Sequence, residues 1–93
     1  MTQRQHITSE LIRSALDYVP PNLARDEWAR VGMAIKSEFP DDEGFNLFDG
    51  WSALAEGYDK KATLSTWRSI KAGGGVSIGT LFHLAKERSE ERR

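Results

Sequence analysis

The sequence predicts an all-α fold, a compact single-domain bundle of about five short helices. Apolar residues recur every three to four positions, which is the spacing of one helix face, and the alternation typical of strands is almost absent. Clusters of proline and glycine divide the chain into short segments. At 93 residues the chain has room for one core and none for a nucleotide-binding α/β sheet or a barrel.

Composition excludes other classes of protein. The absence of cysteine excludes disulfide frameworks and thiolate zinc sites. The apolar runs are too short for a membrane span, and the polar start over residues 1–6 is unlike a signal peptide. With 39% hydrophobic and 29% charged residues, the sequence is typical of a soluble globular domain.

The first helix is predicted over residues 8–18. Thr8 or Ser9 is the candidate N-cap, because a hydroxyl oxygen can accept a hydrogen bond from a free amide of the first turn. Pro20 and Pro21 end the segment, since proline lacks an amide hydrogen and restricts the residue before it. The apolar stripe consists of Ile7, Leu11, Ile12, Ala15, Leu16 and Val19.

The second helix is predicted to begin near Arg25, with Asn22 as a candidate cap, and to end at Phe39 and Pro40. Its apolar positions are Trp28, Val31, Ala34 and Ile35. Gly32 lies inside this pattern although glycine costs about 1 kcal/mol against alanine in a helix. We therefore expect Gly32 to lie at a close crossing with another helix.

A polar turn over residues 41–44 leads into a third helix, predicted over 44–56. Gly57 is placed directly after its end, because glycine adopts positive φ without strain. The inward positions are Phe45, Phe48, Trp51, Leu54 and Ala55.

Two further helices follow, separated by a glycine-rich break. Asp59 caps a helix predicted over residues 60–71, with apolar positions at Ala62, Leu64, Trp67 and Ile70. The glycines at 73–75 break the chain, and Ser77 then caps a helix over 78–89. Its inward residues are Ile78, Leu81, Phe82 and Ala85.

The domain organisation follows from these segments. We expect a flexible N-terminus over residues 1–7, a helical domain over 8–88 and a frayed charged tail over 89–93. The predicted core consists of Leu11, Leu16, Trp28, Val31, Ile35, Phe45, Phe48, Trp51, Leu64, Trp67, Ile78, Leu81 and Phe82.

The three tryptophans fall one per central helix, at core-facing positions, which favours a structural role. A stacking platform for nucleobases would instead need at least one of them partly exposed. Trp67 is the best candidate for that alternative, because Arg68 and Lys71 follow it.

Charge is unevenly distributed although the net charge is only −1. Residues 1–59 carry five basic and eleven acidic residues, whereas residues 60–93 carry eight basic and three acidic residues. No acid lies between Lys60 and Lys86. Such a distribution can create a bipolar surface that orients a partner; the alternative is that the charges only cover solvated helix faces.

Residues 73–80 join a glycine-rich loop to a helix N-terminus. Free amides and the helix dipole can bind an anion at such a place. The loop is not a Walker A motif, because Gly79 is followed by Thr80 and Leu81 and not by lysine. The alternative is a structural loop that lets two helices pack closely.

No metal-binding or catalytic constellation is indicated. The acids at 41, 42, 43 and 49 lack EF-hand spacing and are interpreted as a solvated acidic turn. His6 and His83 have no second histidine near them in sequence. No serine or lysine stands at motif spacing from a general base. We therefore predict no catalytic residue, no metal site and no cofactor for this chain.

A series of short elements in a fixed order covers the chain from about residue 9 to residue 88. It consists of residues 26–36, Gly44-Phe45, Phe48-Asp49, Trp51-Ser52, Tyr58-Asp59, Trp67 with Ser69, and residues 74–86. This series resembles the primase C-terminal 2 domain, or PriCT-2. Each element alone is weak, and their order and separations make the resemblance specific. The charged end over residues 87–93 departs from relatives, which often continue through a glycine and an aromatic residue.

The resemblance implies a small helical module of phage, prophage and plasmid replication proteins, commonly found between a primase part and a helicase part. It implies that these parts of the same polypeptide are its partners and carry the catalysis, in the cytoplasm of a bacterial or phage-infected cell. Two functions are then open. The module helps hold single-stranded DNA or primer–template, or it docks primase to helicase without contacting nucleic acid.

For the first function we predict one basic face that contacts phosphates. It consists of Lys60, Lys61, Arg68 and Lys71 with the amides of Gly73, Gly74 and Gly75. Lys61 and Arg68 are seven residues apart and share a helix azimuth, as do Leu64 and Lys71. Since Leu64 belongs to the apolar stripe, Lys71 has to extend past the helix end. The net charge of −1 favours weak binding, because strong nucleic-acid binders are typically basic.

Overall fold

The computed structural model describes residues 7–71 and 76–91, which form five helices and no strand. The helices are α1 (Ser9–Leu16), α2 (Arg25–Glu38), α3 (Asp42–Ser52), α4 (Lys60–Ser69) and α5 (Ile78–Glu91). The prediction of an all-α single domain is confirmed. Within these residues, no helix is long and apolar enough to cross a membrane.

Side-chain caps explain where two of the helices begin. The Thr8 hydroxyl accepts a hydrogen bond from the Leu11 amide at 3.2 Å and starts α1. The Asp59 carboxylate accepts from two amides of the first turn of α4. In contrast, α2 has Ala24 at its N-cap position and no side-chain cap. The prediction that Asn22 caps this helix is wrong, because α2 begins at Arg25 and its N-cap position lies two residues after Asn22.

The bounds of α3 differ most from the prediction of 44–56. The helix begins at Asp42, so the residues interpreted as a polar turn form its first turn, where acidic side chains face the positive end of the helix dipole. It ends at Ser52. The other helices differ less: α1 and α4 end two residues earlier than predicted, and α5 ends two residues later.

A turn over residues 53–57 follows α3 and changes the environment of two residues. Gly57 has a φ of +78°, the conformation expected for it, but it closes this turn and does not follow the helix directly. Leu54 is 75% exposed, so its predicted inward position is wrong. The reason is that helical spacing no longer applies after Ser52.

The core lies between α2 and the helices around it. α2 packs against α3, α4 and α5, and α1 packs against α3 and α5. Of the predicted core residues, Leu11, Trp28, Phe45, Leu64 and Phe82 are half-buried and the others are buried. The buried apolar residues are Ile12, Ala15, Leu16, Val19, Val31, Ala34, Ile35, Leu47, Phe48, Trp51, Trp67, Ile70, Ile78, Leu81 and Ala85.

The inward face of α4 contains threonines where an alanine was expected. Ala62 is exposed, so its predicted inward position is wrong, and Thr63 and Thr66 are buried instead. The Thr63 hydroxyl donates to the Asp59 carbonyl at 2.8 Å, one turn earlier. A buried hydroxyl that is satisfied by its own helix in this way costs little, so threonine can face the core.

Two glycines permit the close approach of neighbouring segments. A Cβ on Gly32 would lie 3.0 Å from Ile70 Cδ1 and 3.1 Å from the ring of Phe48, which confirms the predicted close crossing. A Cβ on Gly44 would overlap the Phe39 carbonyl oxygen, so the first turn of α3 packs directly on the backbone that ends α2. The second glycine is the more restrictive, since backbone cannot rotate away as a side chain can.

Two indole N–H groups connect the first three helices. Trp51 Nε1 donates to the Val19 carbonyl at 2.8 Å, just before the two prolines that follow α1. Trp28 Nε1 donates to Ser52 Oγ at 2.8 Å and so joins α2 to the end of α3. These bonds satisfy polar atoms that would otherwise be costly to bury, and they fix the orientation of both rings.

Candidate nucleic-acid interface

The outward face of α4 is basic. Lys61, Ser65 and Arg68 are spaced four and three residues apart, which places them on one stripe, and all three are exposed. Thr63, Thr66 and Trp67 occupy the buried side of the helix. Lys61 and Arg68 therefore point away from the core, about 10 Å apart along the helix axis.

Lys60 and Lys71 flank this stripe. Both are exposed, Lys60 as the first residue of α4 and Lys71 beyond its end. The helix stops at Ser69 and the backbone is extended at Ile70, with φ −79° and ψ 149°. The predicted shared azimuth of Leu64 and Lys71 is therefore wrong. We call Lys60, Lys61, Arg68 and Lys71 the basic face.

Among the described residues, no carboxylate lies within 4.0 Å of a charged nitrogen of the basic face, and the Asp59 carboxylate at the start of α4 accepts from backbone amides instead. In the same residues, the one contact within 4.0 Å between a basic side chain and a carboxylate joins His83 and Glu87 on α5, at 3.8 Å. The first turn of α4 contains two lysines and no acid, an arrangement that the helix dipole disfavours and that the carboxylate of the N-cap residue Asp59 offsets.

The predicted glycine contribution lies outside the described residues. Gly73, Gly74 and Gly75 belong to the segment 72–75, so their role as phosphate-binding amides stays a prediction. The structure resumes at Val76, and the Thr80 amide donates to the Ser77 carbonyl at 2.9 Å as α5 begins.

A fifth cation near α4, Lys36, has a structural role that was not predicted. Its Nζ donates to the carbonyls of Trp67 at 2.6 Å and Ile70 at 2.9 Å, and it lies 5.2 Å from the centroid of the Trp67 ring. A lysine in this position satisfies carbonyls at the C-terminal end of the helix. The sequence signal is its spacing, since Lys36 is one turn after Gly32 and on the same helix face.

Trp67 is not a stacking platform. It is only 6% exposed and packs with Phe45 and Phe48, at centroid distances of 6.1 and 5.8 Å. The candidacy of Trp67 for base stacking is wrong, because its ring faces the core and Lys36 covers it. Trp28 is the half-buried tryptophan, whereas Trp51 is buried like Trp67.

An open groove of about 380 Å³ lies beside the N-terminal end of α4 and is lined in part by Trp28; we call it the Trp28 groove. The residues that line it include Arg25, Trp28, Glu56, Tyr58, Asp59 and Ala62. Nothing in the helical spacing indicated this groove, because its walls come from the segment before α2 and the start of that helix, the end of α3, the turn after it and the start of α4.

Tyr58 is anchored at one edge of the Trp28 groove. Its hydroxyl donates to the Asp49 carboxylate. This hydrogen bond, followed by burial and the negative charges of Asp49 and Asp59, raises the pKa of Tyr58 to about 12. Tyr58 is therefore a neutral hydrogen-bond donor at physiological pH, and its ring is fixed against α3.

Among residues 7–71 and 76–91, no three histidine or acidic side chains are grouped closely enough to hold a metal ion. The acids at the start of α3 lie in its first turn and are exposed.

Fold and surface together define a small all-α domain with a basic helix face. The family model described as Primase C terminal 2 (PriCT-2) matches residues 12–85, and the chain belongs to this family. The predicted resemblance is confirmed, and the chain is a primase-associated C-terminal domain. Comparison with curated proteins and with solved structures found no match.

Proposed function

We propose that this chain is a non-catalytic accessory domain of a larger primase-type replication protein, and that it helps hold template or primer nucleic acid. The observation that supports this function best is the basic face, in which the charged nitrogens of four exposed side chains have no carboxylate within 4.0 Å among the described residues. A cluster of exposed cations favours phosphate groups as ligands. Lysine and arginine side chains that contact a nucleic-acid backbone release the counterions condensed on it, and this release favours binding.

The expected affinity is weak. Three of the four charges of the basic face are lysine ammonium groups and only Arg68 has a planar side chain, so we expect the contacts to be directed mainly to phosphate and to depend little on sequence. Three or four phosphate contacts predict a log–log salt slope of about −2 to −3 for single strands, from roughly 0.7 per contact. We expect dissociation constants in the micromolar range or weaker, in the range of non-specific binding.

A second candidate function has its own supporting observation. Leu54 is 75% exposed and Tyr18 is 45% exposed, the exposed large apolar side chains among the described residues. Each lies at the edge of a shallow, mainly apolar groove next to α1. Exposed apolar surface favours contact with protein. In this alternative the domain docks the primase part to the helicase part of the same polypeptide without contacting nucleic acid.

A salt titration separates the two functions. Binding of the chain to a fluorescein-labelled oligothymidylate of about 15 nucleotides is followed by anisotropy at salt concentrations from about 20 to 200 mM. The proposed function predicts binding that weakens with salt at the slope given above. The double variant Lys61→Ala with Arg68→Ala is expected to flatten the slope by about 1.4, because two contacts are removed.

The matched control removes two exposed arginines elsewhere, Arg13→Ala with Arg30→Ala, which changes the net charge equally. This control should retain most of the wild-type slope. Equal loss of slope in the two double variants would show that binding follows net charge and not the basic face. No salt-sensitive binding by the folded chain at low ionic strength would reject the proposal and favour docking.

A further inference from the structure

The Trp28 groove combines an accessible indole with a guanidinium above it. Trp28 is half-buried, and its inner side packs on Phe48 with ring centroids 5.0 Å apart. Arg25 lies over the ring, with its Cζ 6.0 Å from the centroid. Both residues line the groove, and Arg25 is exposed at the first position of α2. The arginine side chain is thus exposed to solvent, whereas the indole is held in place by its packing on Phe48.

This spacing suits a planar aromatic ligand. Two stacked layers at ordinary contact distance need about 7 Å, so a movement of the guanidinium by about 1 Å would admit one flat ring between it and the indole. Nucleobases stack on indole and on guanidinium planes alike. The Trp28 Nε1–Ser52 bond and the Phe48 contact keep the indole oriented without a ligand.

The charges of the groove favour a base over a phosphate. Glu56 and Asp59 both line it, and two carboxylates repel a phosphate group. Carboxylates instead accept hydrogen bonds from the N–H groups on the Watson–Crick edges of bases, which include the N3–H of thymine. A phosphate that is excluded from the groove finds cations directly outside it, because Lys60 and Lys61 are the neighbours of the lining residues Asp59 and Ala62.

From this juxtaposition we propose that the Trp28 groove binds one unpaired base of a single-stranded nucleic acid whose phosphates contact the basic face. This inference rests on the proposed function and adds the requirement for an unpaired base. The strand crosses the N-terminal end of α4, with one base between Arg25 and Trp28 and its phosphates beside Lys60 and Lys61. Base-paired nucleic acid does not satisfy the groove, since its bases are stacked on each other.

The test compares two probes that differ only in their bases. Oligothymidylate of about eight nucleotides and an abasic oligodeoxynucleotide of the same length present the same phosphates. At low salt the chain is expected to bind oligothymidylate about tenfold more tightly than the abasic strand, and to lose tryptophan fluorescence only with the strand that carries bases. The expected ratio corresponds to the lower part of the range for one base stacked on an aromatic ring.

The key variant is Arg25→Ala, which removes the guanidinium that would cover one face of the bound base and leaves the core contacts of Trp28 intact. It should reduce the preference for bases to less than about threefold, whereas Arg30→Ala, an exposed arginine on the same helix that does not line the groove, should keep it.

The outcomes separate the two proposals. Equal and salt-sensitive binding of both strands would overturn the base-binding inference and leave the phosphate contacts standing. A preference for bases that Arg25→Ala leaves unchanged would also overturn the assignment to this groove. Failure of the folded chain to bind either strand would overturn the proposed function together with the inference.

Discussion

Replacement of Gly44 by alanine should destabilise the domain more than its small size suggests. A Cβ at this position would overlap the Phe39 carbonyl oxygen, and it would come within 2.8 Å of the Phe39 carbonyl carbon and 2.9 Å of Trp67 Cη2. Ordinary van der Waals contact begins at about 3.5 Å, and the overlap with the Phe39 carbonyl oxygen is the most severe of the three contacts, so the first turn of α3 would have to move away from the end of α2 by well over an ångström.

The magnitude follows from which atoms must move. Overpacking typically costs about 1–3 kcal/mol, and a clash with backbone belongs at the upper end or above it. The gain in helix propensity from glycine to alanine is at most about 1 kcal/mol and offsets part of this. We expect a net loss of about 2–3 kcal/mol, a large fraction of the roughly 5–14 kcal/mol typical for a chain of this length.

Urea unfolding followed by circular dichroism measures this loss as a lower midpoint at an unchanged slope. Gly50→Ala is the matched control, because Gly50 is exposed in the same helix and a Cβ there would meet nothing within 4 Å. The control should be neutral or stabilised by up to about 1 kcal/mol. The steric reasoning is refuted if Gly44→Ala unfolds at the wild-type midpoint, or if both variants lose stability equally.

Three further predictions concern the interior and its edge. Trp51→Ala should cost about 3–5 kcal/mol, because it leaves a cavity and deprives the Val19 carbonyl of its donor; an unchanged unfolding midpoint would contradict this. Lys36→Met should cost about 1–3 kcal/mol, because the carbonyls of Trp67 and Ile70 lose a charged donor, whereas Lys60→Met, at an exposed position, should change the unfolding free energy by less than about 0.5 kcal/mol. Equal effects of the two lysine variants would remove the capping role of Lys36. Finally, the pKa of Tyr58 is raised to about 12 in the folded chain, so the folded state keeps this proton after the unfolded chain, near pKa 10, has lost it. The stabilisation from Tyr58 should be complete below pH 10 and disappear as the pH rises through 12, and the difference in stability between wild type and Tyr58→Phe, measured by urea unfolding across this range, should shrink accordingly. A difference that is constant or grows with pH would show that the Asp49 hydrogen bond does not hold the proton.

Much of the fold was predictable because its signals are local. Asp59 accepts from amides two and three residues away, and Thr8 from one three residues away, so both helix starts can be read from a few consecutive residues. The error at the end of α3 has the opposite cause. Leu54 continues the apolar spacing, and only the turn closed by Gly57 shows that the helix has already ended.

The candidate site was predictable only in part. The exposure of Lys61 and Arg68 follows from helical spacing once the buried stripe of α4 is known. The choice between Trp28 and Trp67 as the accessible ring does not, because it depends on how α2 and α4 pack against Phe48. The Trp28 groove depends on contacts between segments far apart in sequence, and the spacing of residues along one helix does not predict such contacts.

The contacts of α5 impose an order on how the domain can form during synthesis. The last helix packs on both α1 and α2, and its Leu81 is fully buried. A nascent chain of which only the first four helices have left the ribosome therefore exposes an apolar surface on α1 and α2 to water. Because chains grow at about 5–20 residues per second, this surface stays open for at least a second before the last helix can cover it. Completion of the core thus waits for α5, and the unfinished intermediate is the species most exposed to aggregation and to capture by chaperones.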